Sequence, residues 1–200
     1  RPTDWPSTNN DGNAKFSSLS QITPENVTRL RPAWTLDIEP EPPRRGYNTT
    51  PIVINGVMYF PKDLFGIIAA VRADTGQPLW GTDFRKFPGV GEGAAVDNRG
   101  FSYWPGTSDH RARLLLATST GFLIQLDAAT GQLIPGAAGL IDLSPGVMDE
   151  FGGDWGVKMP PAIYKNIAIV AGRTGEQGRW GNPGDPRGFD ILTGKELWRF

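Results

Sequence analysis

The chain has 200 residues with 20 basic and 21 acidic side chains, a formal charge of −1 and no basic run longer than Arg44-Arg45, which argues against a nucleic-acid partner. It has no cysteine, which excludes a disulfide framework and fits either a cytosolic or an exported bacterial protein, and no apolar run approaches the roughly 18 residues of a membrane span. Glycine at 26 and proline at 18 suit short strands and tight turns, and seven Trp with ten Phe oppose disorder.

Residues 1–30 read as an extended lead-in, opening Arg1-Pro2-Thr3-Asp4-Trp5-Pro6 without an initiator Met, as in a processed or trimmed chain. Thr23-Pro24-Glu25-Asn26-Val27 puts Thr at an N-cap and Pro at the first helical position, which predicts a short helix. Trp34 is expected to close a preceding structural unit. In residues 50–60, Asn55-Gly56 separates two runs of β-branched or aromatic residues, the strongest short-range hairpin signal. Further strand pairs are predicted over 113–126 and 161–171. Long Gly/Pro-rich connections at 85–100, 136–160 and 172–188 exceed the usual length of about 4–6 residues, and such loops on a β scaffold are where a site assembles.

One block recurs three times: Thr75-Gly76-Gln77-Pro78-Leu79-Trp80, Thr130-Gly131-Gln132-Leu133-Ile134-Pro135 and Thr193-Gly194-Lys195-Glu196-Leu197-Trp198. The Thr-Gly pairs lie 55 and 63 residues apart, close to a four-stranded propeller blade with loop insertions. The fold class that follows is all-β: a β-propeller with tryptophan-docking motifs, of which this chain covers roughly the first three blades. Residues 1–200 are expected to be the amino-terminal portion of a single propeller domain, 1–30 a lead-in and 31–200 blades, completed by further chain or by a partner. Trp80 and Trp198 are expected in equivalent positions, buried between blades. Pro135 replaces the indole in the middle copy, so that contact must be weaker or built differently.

Glu176 lies in a Gly-rich loop after an apolar strand; taken alone it is most simply a solvated carboxylate, with a hard-cation ligand as the alternative. Arg99 precedes Tyr103-Trp104, where a guanidinium suits a planar carboxylate, against a structural ion pair with Asp97. His110 is the only histidine and is expected at the surface, so this chain holds no multi-His metal centre. No GxGxxG or GxxxxGK[ST] pattern is present.

The order of Asp4-Trp5-Pro6, Phe16 through Val27, Ala33-Trp34-Thr35, Thr50-Pro51-Ile52-Val53, Asn98-Arg99-Gly100, Tyr103-Trp104-Pro105-Gly106 and the Thr-Gly-x-x-x-Trp motifs resembles the quinoprotein dehydrogenases. These bind pyrroloquinoline quinone (PQQ) on an eight-bladed propeller. The resemblance implies cofactor contacts at Asn48, Gly93, Ala94, Arg99, Lys158, Arg173, Thr174 and Gly175, and it makes Glu176 a ligand of Ca²⁺, with a lanthanide as the alternative ion. It implies hydride abstraction from a C–H of an alcohol or hemiacetal, the metal polarising the quinone while an aspartate outside this chain takes the hydroxyl proton. No catalytic base is assigned within the 200 residues.

Gly93-Ala94 stands where the alcohol-oxidising branch has two adjacent cysteines, which moves the expected substrate towards a sugar such as glucose, with an alcohol beside it. Asn48 replaces a cofactor-contacting Glu, and Lys158 a hydroxyl residue. Expected partners are ubiquinone or cytochrome c as acceptor and the remainder of the propeller; the expected compartment is the periplasm. Two rivals stand beside this reading: a non-catalytic periplasmic scaffold, and a sugar-binding propeller that stacks ligands on exposed Trp155 and Trp180.

Overall fold

The computed structural model describes residues 4–7, 16–37, 50–63, 66–96, 100–147, 155–173 and 182–200. Among the described residues twelve strands form three four-stranded antiparallel sheets, each a meander in chain order. The first holds β1 (Ile52–Ile54), β2 (Val57–Asp63), β3 (Ile67–Arg72) and β4 (Pro78–Asp83). The second holds β5 (Ser102–Trp104), β6 (Arg113–Ala117), β7 (Phe122–Asp127) and β8 (Leu140–Asp142). The third holds β9 (Ala162–Tyr164), β10 (Ile167–Ala171), β11 (Pro186–Asp190) and β12 (Glu196–Arg199). Helix among the described residues is confined to the 3-10 turns Val27–Arg29 and Phe84–Lys86. The helix predicted at Thr23 is thus a single turn, with the Thr23 carbonyl accepting from Asn26 and Val27 N–H.

The sheets stack face to face as blades. Ile52, Tyr59, Ile68 and Ala70 pack against Leu114, Leu116, Ile124 and Leu126 between the first and second sheets. Leu115, Ala117 and Leu123 meet Ala168, Val170, Phe189 and Ile191 between the second and third. Alternate side chains of β6 serve opposite interfaces, so the whole strand is buried and reads as a continuous apolar run instead of an alternating one. Trp34 and Leu36 cover the outer face of the first sheet over Phe60, Ala69 and Val71.

The three Thr-Gly blocks are the same hairpin three times. Gly76, Gly131 and Gly194 have φ of 71°, 71° and 75°, a left-handed conformation that glycine adopts without a Cβ clash. Their N–H groups donate to the carbonyls of Arg72, Asp127 and Asp190 at 2.9, 2.8 and 2.8 Å. The strands β4 and β12 also share a bulge: Ala70 opposes Trp80 and Val71 opposes Pro78, while Gly188 opposes Trp198 and Phe189 opposes Glu196. Leu79 and Leu197 are the extra residues, each 48% exposed.

Docking between blades follows one rule. Trp34 Nε1 donates to the Ala73 carbonyl at 3.1 Å, with its ring over Gly76, and Trp80 Nε1 donates to the Ala128 carbonyl at 3.2 Å, with its ring over Gly131. A Cβ on either glycine would enter the indole. The equivalent carbonyl of the third sheet belongs to Ile191, and here Pro135 supplies no indole. Arg113 Nη1 at 2.7 Å and Gln125 Nε2 at 3.0 Å donate to it instead. Residues 135–138 leave the sheet, and the Ala137 oxygen and Ala138 Cα lie 2.8 and 2.9 Å from where a Gly194 Cβ would stand. The expectation that this contact is built differently holds. Trp198 departs from expectation: it matches Trp80 in register but lies on the far face of the third sheet over Gly188 and is 39% exposed, since no described segment covers it.

Candidate functional site

The meander sends connections to two opposite ends of the sheets. The Thr-Gly turns, the Asn55-Gly56 turn and the loop with His110 lie at one end. At the other are the starts of β1, β5 and β9 and the connections that follow β4, β6, β8 and β10. This second end receives the long segments.

One short turn gathers them. After β6, the hairpin turn at 118–121 bonds outward on both sides: Ser119 N–H donates to the Ala95 carbonyl at 2.8 Å, and Ser119 Oγ accepts from Ala95 N–H at 3.1 Å. Val96 forms a bridge with Thr118. From the other side Val157 N–H donates to the Thr118 carbonyl at 2.9 Å, and Arg173 N–H donates to the Gly156 carbonyl at 2.8 Å. Segments 93–96, 155–158 and 172–173, far apart in sequence, are thereby laced together. The Gly100 Cα approaches the Thr50 carbonyl so closely that a Cβ would lie 3.2 Å from that oxygen.

Of the residues expected to hold the cofactor or metal, four can be placed. Gly93 is exposed and a Cβ there would meet nothing within 4 Å, whereas Ala94 beside it is fully buried. Lys158 is exposed, on the segment that Val157 ties to the turn, and Arg173 is half-buried, on the segment bonded to Gly156. Asn48, Arg99, Thr174, Gly175 and Glu176 lie outside the described residues, and with them the expected convergence of Arg99 and Glu176. His110 is exposed at the opposite end, its Nδ1 3.1 Å from Thr107 Oγ1, as expected of a surface histidine. Among the described residues no three His, Cys, Asp or Glu groups cluster as a metal site.

Sequence reasoning missed Trp155. Only the rival sugar-binding reading gives it a place, as an exposed stacking platform; it is 7% exposed, packed in the core between the second and third sheets. Its apolar surround explains the correction: Gly121 and Gly172 lie against the ring, and Nε1 donates to the Pro183 carbonyl at 3.2 Å. The flanking signal was present, since Trp155-Gly156-Val157 is an apolar patch inside a polar loop.

A profile of the PQQ glucose/ethanol/alcohol dehydrogenase β-propeller domain matches residues 5–200. The chain belongs to this family. It is 35% identical over 93% of its length to the dehydrogenase subunit of an alcohol dehydrogenase (quinone) from Gluconacetobacter polyoxogenes, covering 23% of that protein. It is 30% identical to methanol dehydrogenase [cytochrome c] subunit 1 of Methylorubrum extorquens, covering 97% of this chain and 29% of the relative. The crystal structure of the quinohemoprotein alcohol dehydrogenase from Comamonas testosteroni superimposes with a TM-score of 0.76 at 28% identity, over 98% of this chain and 27% of that one. The chain thus spans about a quarter of the length of its relatives. It is a β-propeller chain, and the family implies PQQ.

The described residues of this PQQ-family propeller suit such a group. PQQ is a flat quinone bearing three carboxylates. Gly93 is exposed with nothing within 4 Å of where a Cβ would stand, and Lys158 and Arg173 supply positive charge of the sign that the PQQ carboxylates would require.

Proposed function

We propose that the complete protein is a periplasmic PQQ-dependent dehydrogenase that oxidises an alcohol and passes the electrons to a cytochrome c or a quinone. The observation that carries this is the lacing of segments 93–96 and 155–158 onto one turn, with segment 172–173 bonded in turn to Gly156, at the end where the long connections of a PQQ-family propeller gather. The chain's relatives include alcohol, methanol and 1-butanol dehydrogenases. They favour an alcohol over the sugar that Gly93-Ala94 suggested, since replacing two cysteines changes one wall of a chamber without changing the bond to be oxidised.

Bound PQQ supplies a two-electron acceptor for the C–H bond being oxidised. This chain's share would be to hold it: Arg173 and Lys158 would pair with its carboxylates, Gly93 would leave room beside the ring, Asn48, Arg99, Thr174 and Gly175 would add contacts, and Glu176 would be a ligand of Ca²⁺. Ala94 underpins the wall. The test is reconstitution of the purified complete protein with PQQ and Ca²⁺, followed by dye-linked oxidation of ethanol, 1-butanol and glucose. Alcohol turnover that depends on PQQ is expected. Turnover of glucose alone would return the reading to a sugar, and no PQQ binding would overturn it.

A further inference from the structure

The connection from β10 to β11 runs from Gly172 to Asp185 and carries Arg173, Thr174, Gly175 and Glu176. Both of its roots meet one side chain. At the exit, Gly172 lies so close to the Trp155 indole that a Cβ would fall on Nε1, C of the ring junction and the neighbouring carbon. At the re-entry, the Pro183 carbonyl accepts the Trp155 N–H at 3.2 Å. The opposite part of the ring lies against Gly121, where a Cβ would be 3.0 Å from two indole carbons. The backbone that follows the ring is held as well, because Val157 N–H donates to the Thr118 carbonyl and the Gly156 carbonyl accepts from Arg173 N–H. Gly156 in turn packs against the Ser119 carbonyl with no room for a side chain.

A buried indole with its N–H satisfied is a rigid spacer, fixed by two side-chain torsions and a large flat contact. Placed between the 118–121 turn and both ends of the connection, it sets the distance between those ends. We propose that Trp155 is a positioning residue that clamps both roots of the β10–β11 connection and so fixes how Arg173, at its exit, is presented to the cofactor. Its link to PQQ rests on the function proposed above; the clamp itself does not.

The experiment compares the complete protein with Trp155→Phe and Trp155→Ala by two readouts. In the cofactor-free protein, amide hydrogen exchange at Arg173 and across 172–185 is expected to quicken about tenfold or more in Trp155→Ala, while β6 and β7 keep their protection. Trp155→Phe keeps the wedge but loses the bond to Pro183, and an intermediate change of about fivefold is expected, the worth of one hydrogen bond. In PQQ titrations at fixed Ca²⁺ the dissociation constant should weaken in the same order. Unchanged exchange over 172–185 in a folded variant overturns the clamp, and unchanged PQQ affinity beside a lowered melting temperature reduces Trp155 to a core residue. Should Trp155→Ala fail to fold, Trp155→Phe decides alone. If the wild type binds no PQQ, the function falls while the exchange readout still judges the clamp.

Discussion

Glu196 opens β12 between two arginines, and hydrogen bonds from Arg199 and Arg187 pull its carboxyl from 4.5 down to about 2 against a smaller opposing effect of burial. Arg187 is 2% exposed and also donates to the Leu143 carbonyl, while Arg199 donates to Gly146 at 2.7 Å and Pro145 at 3.2 Å. This carboxylate therefore holds together two side chains that join the second sheet to the third. A depressed folded value means that the stabilisation is complete above the unfolded value of 4.5 and fades as pH falls towards 2. Glu196→Gln is expected to cost about 1–3 kcal/mol at pH 7, since it leaves the buried Arg187 guanidinium without its counter-charge. Thermal melts from pH 7 to pH 2 should show the gap to wild type closing below about pH 4.5; a gap that stays constant would mean that the pair contributes through shape alone.

At the scale of the strand and hairpin, most of the architecture was legible because local chemistry and global fold agree. Asn55-Gly56 has φ of 52° and 78° at its two positions, so the shortest hairpin formed where those residue types permit it. The Thr-Gly period located three sheets. What escaped was the second sheet's way of docking, because the substitute for an indole is assembled from Arg113 and Gln125, residues on neighbouring strands whose pairing no single-chain pattern signals. Their fork on the Ile191 carbonyl sits under a cation–π contact from Arg113 to Trp104 at 5.3 Å. Arg113→Met keeps apolar bulk and leaves Gln125 on the carbonyl, with an expected cost of about 1–2 kcal/mol. Trp80→Ala opens a cavity between sheets one and two and is expected to cost about 3–5 kcal/mol. Denaturant midpoints would rank them, and an Arg113→Met loss equal to that of Trp80→Ala would show that the fork carries as much of the interface as a docked ring.

For the molecule as a whole, the site was legible as a list of positions but not as a geometry. Sequence could say that 93–94, 158 and 173–176 belong to long connections; it could not say that the 118–121 turn ties 93–96 to 155–158, which holds Arg173 in turn, since Thr118-Ser119-Thr120-Gly121 reads as an ordinary hairpin bend. That lacing has a consequence for Glu176, three residues beyond the amide that Gly156 holds. A loop residue on a fixed root can lose its side chain without disturbing the sheets, so in the complete protein Glu176→Ala is expected to change melting without cofactor by less than about 0.5 kcal/mol. The same substitution removes a hard anionic oxygen from the proposed Ca²⁺ shell, and PQQ titration at fixed Ca²⁺ should weaken by at least about tenfold. Raising the Ca²⁺ concentration should recover part of that loss, because a weakened ion site refills by mass action whereas a distorted loop does not. Equal PQQ affinity in wild type and variant would return Glu176 to the solvated surface and leave Arg173 and Lys158 to bind an anion without a metal.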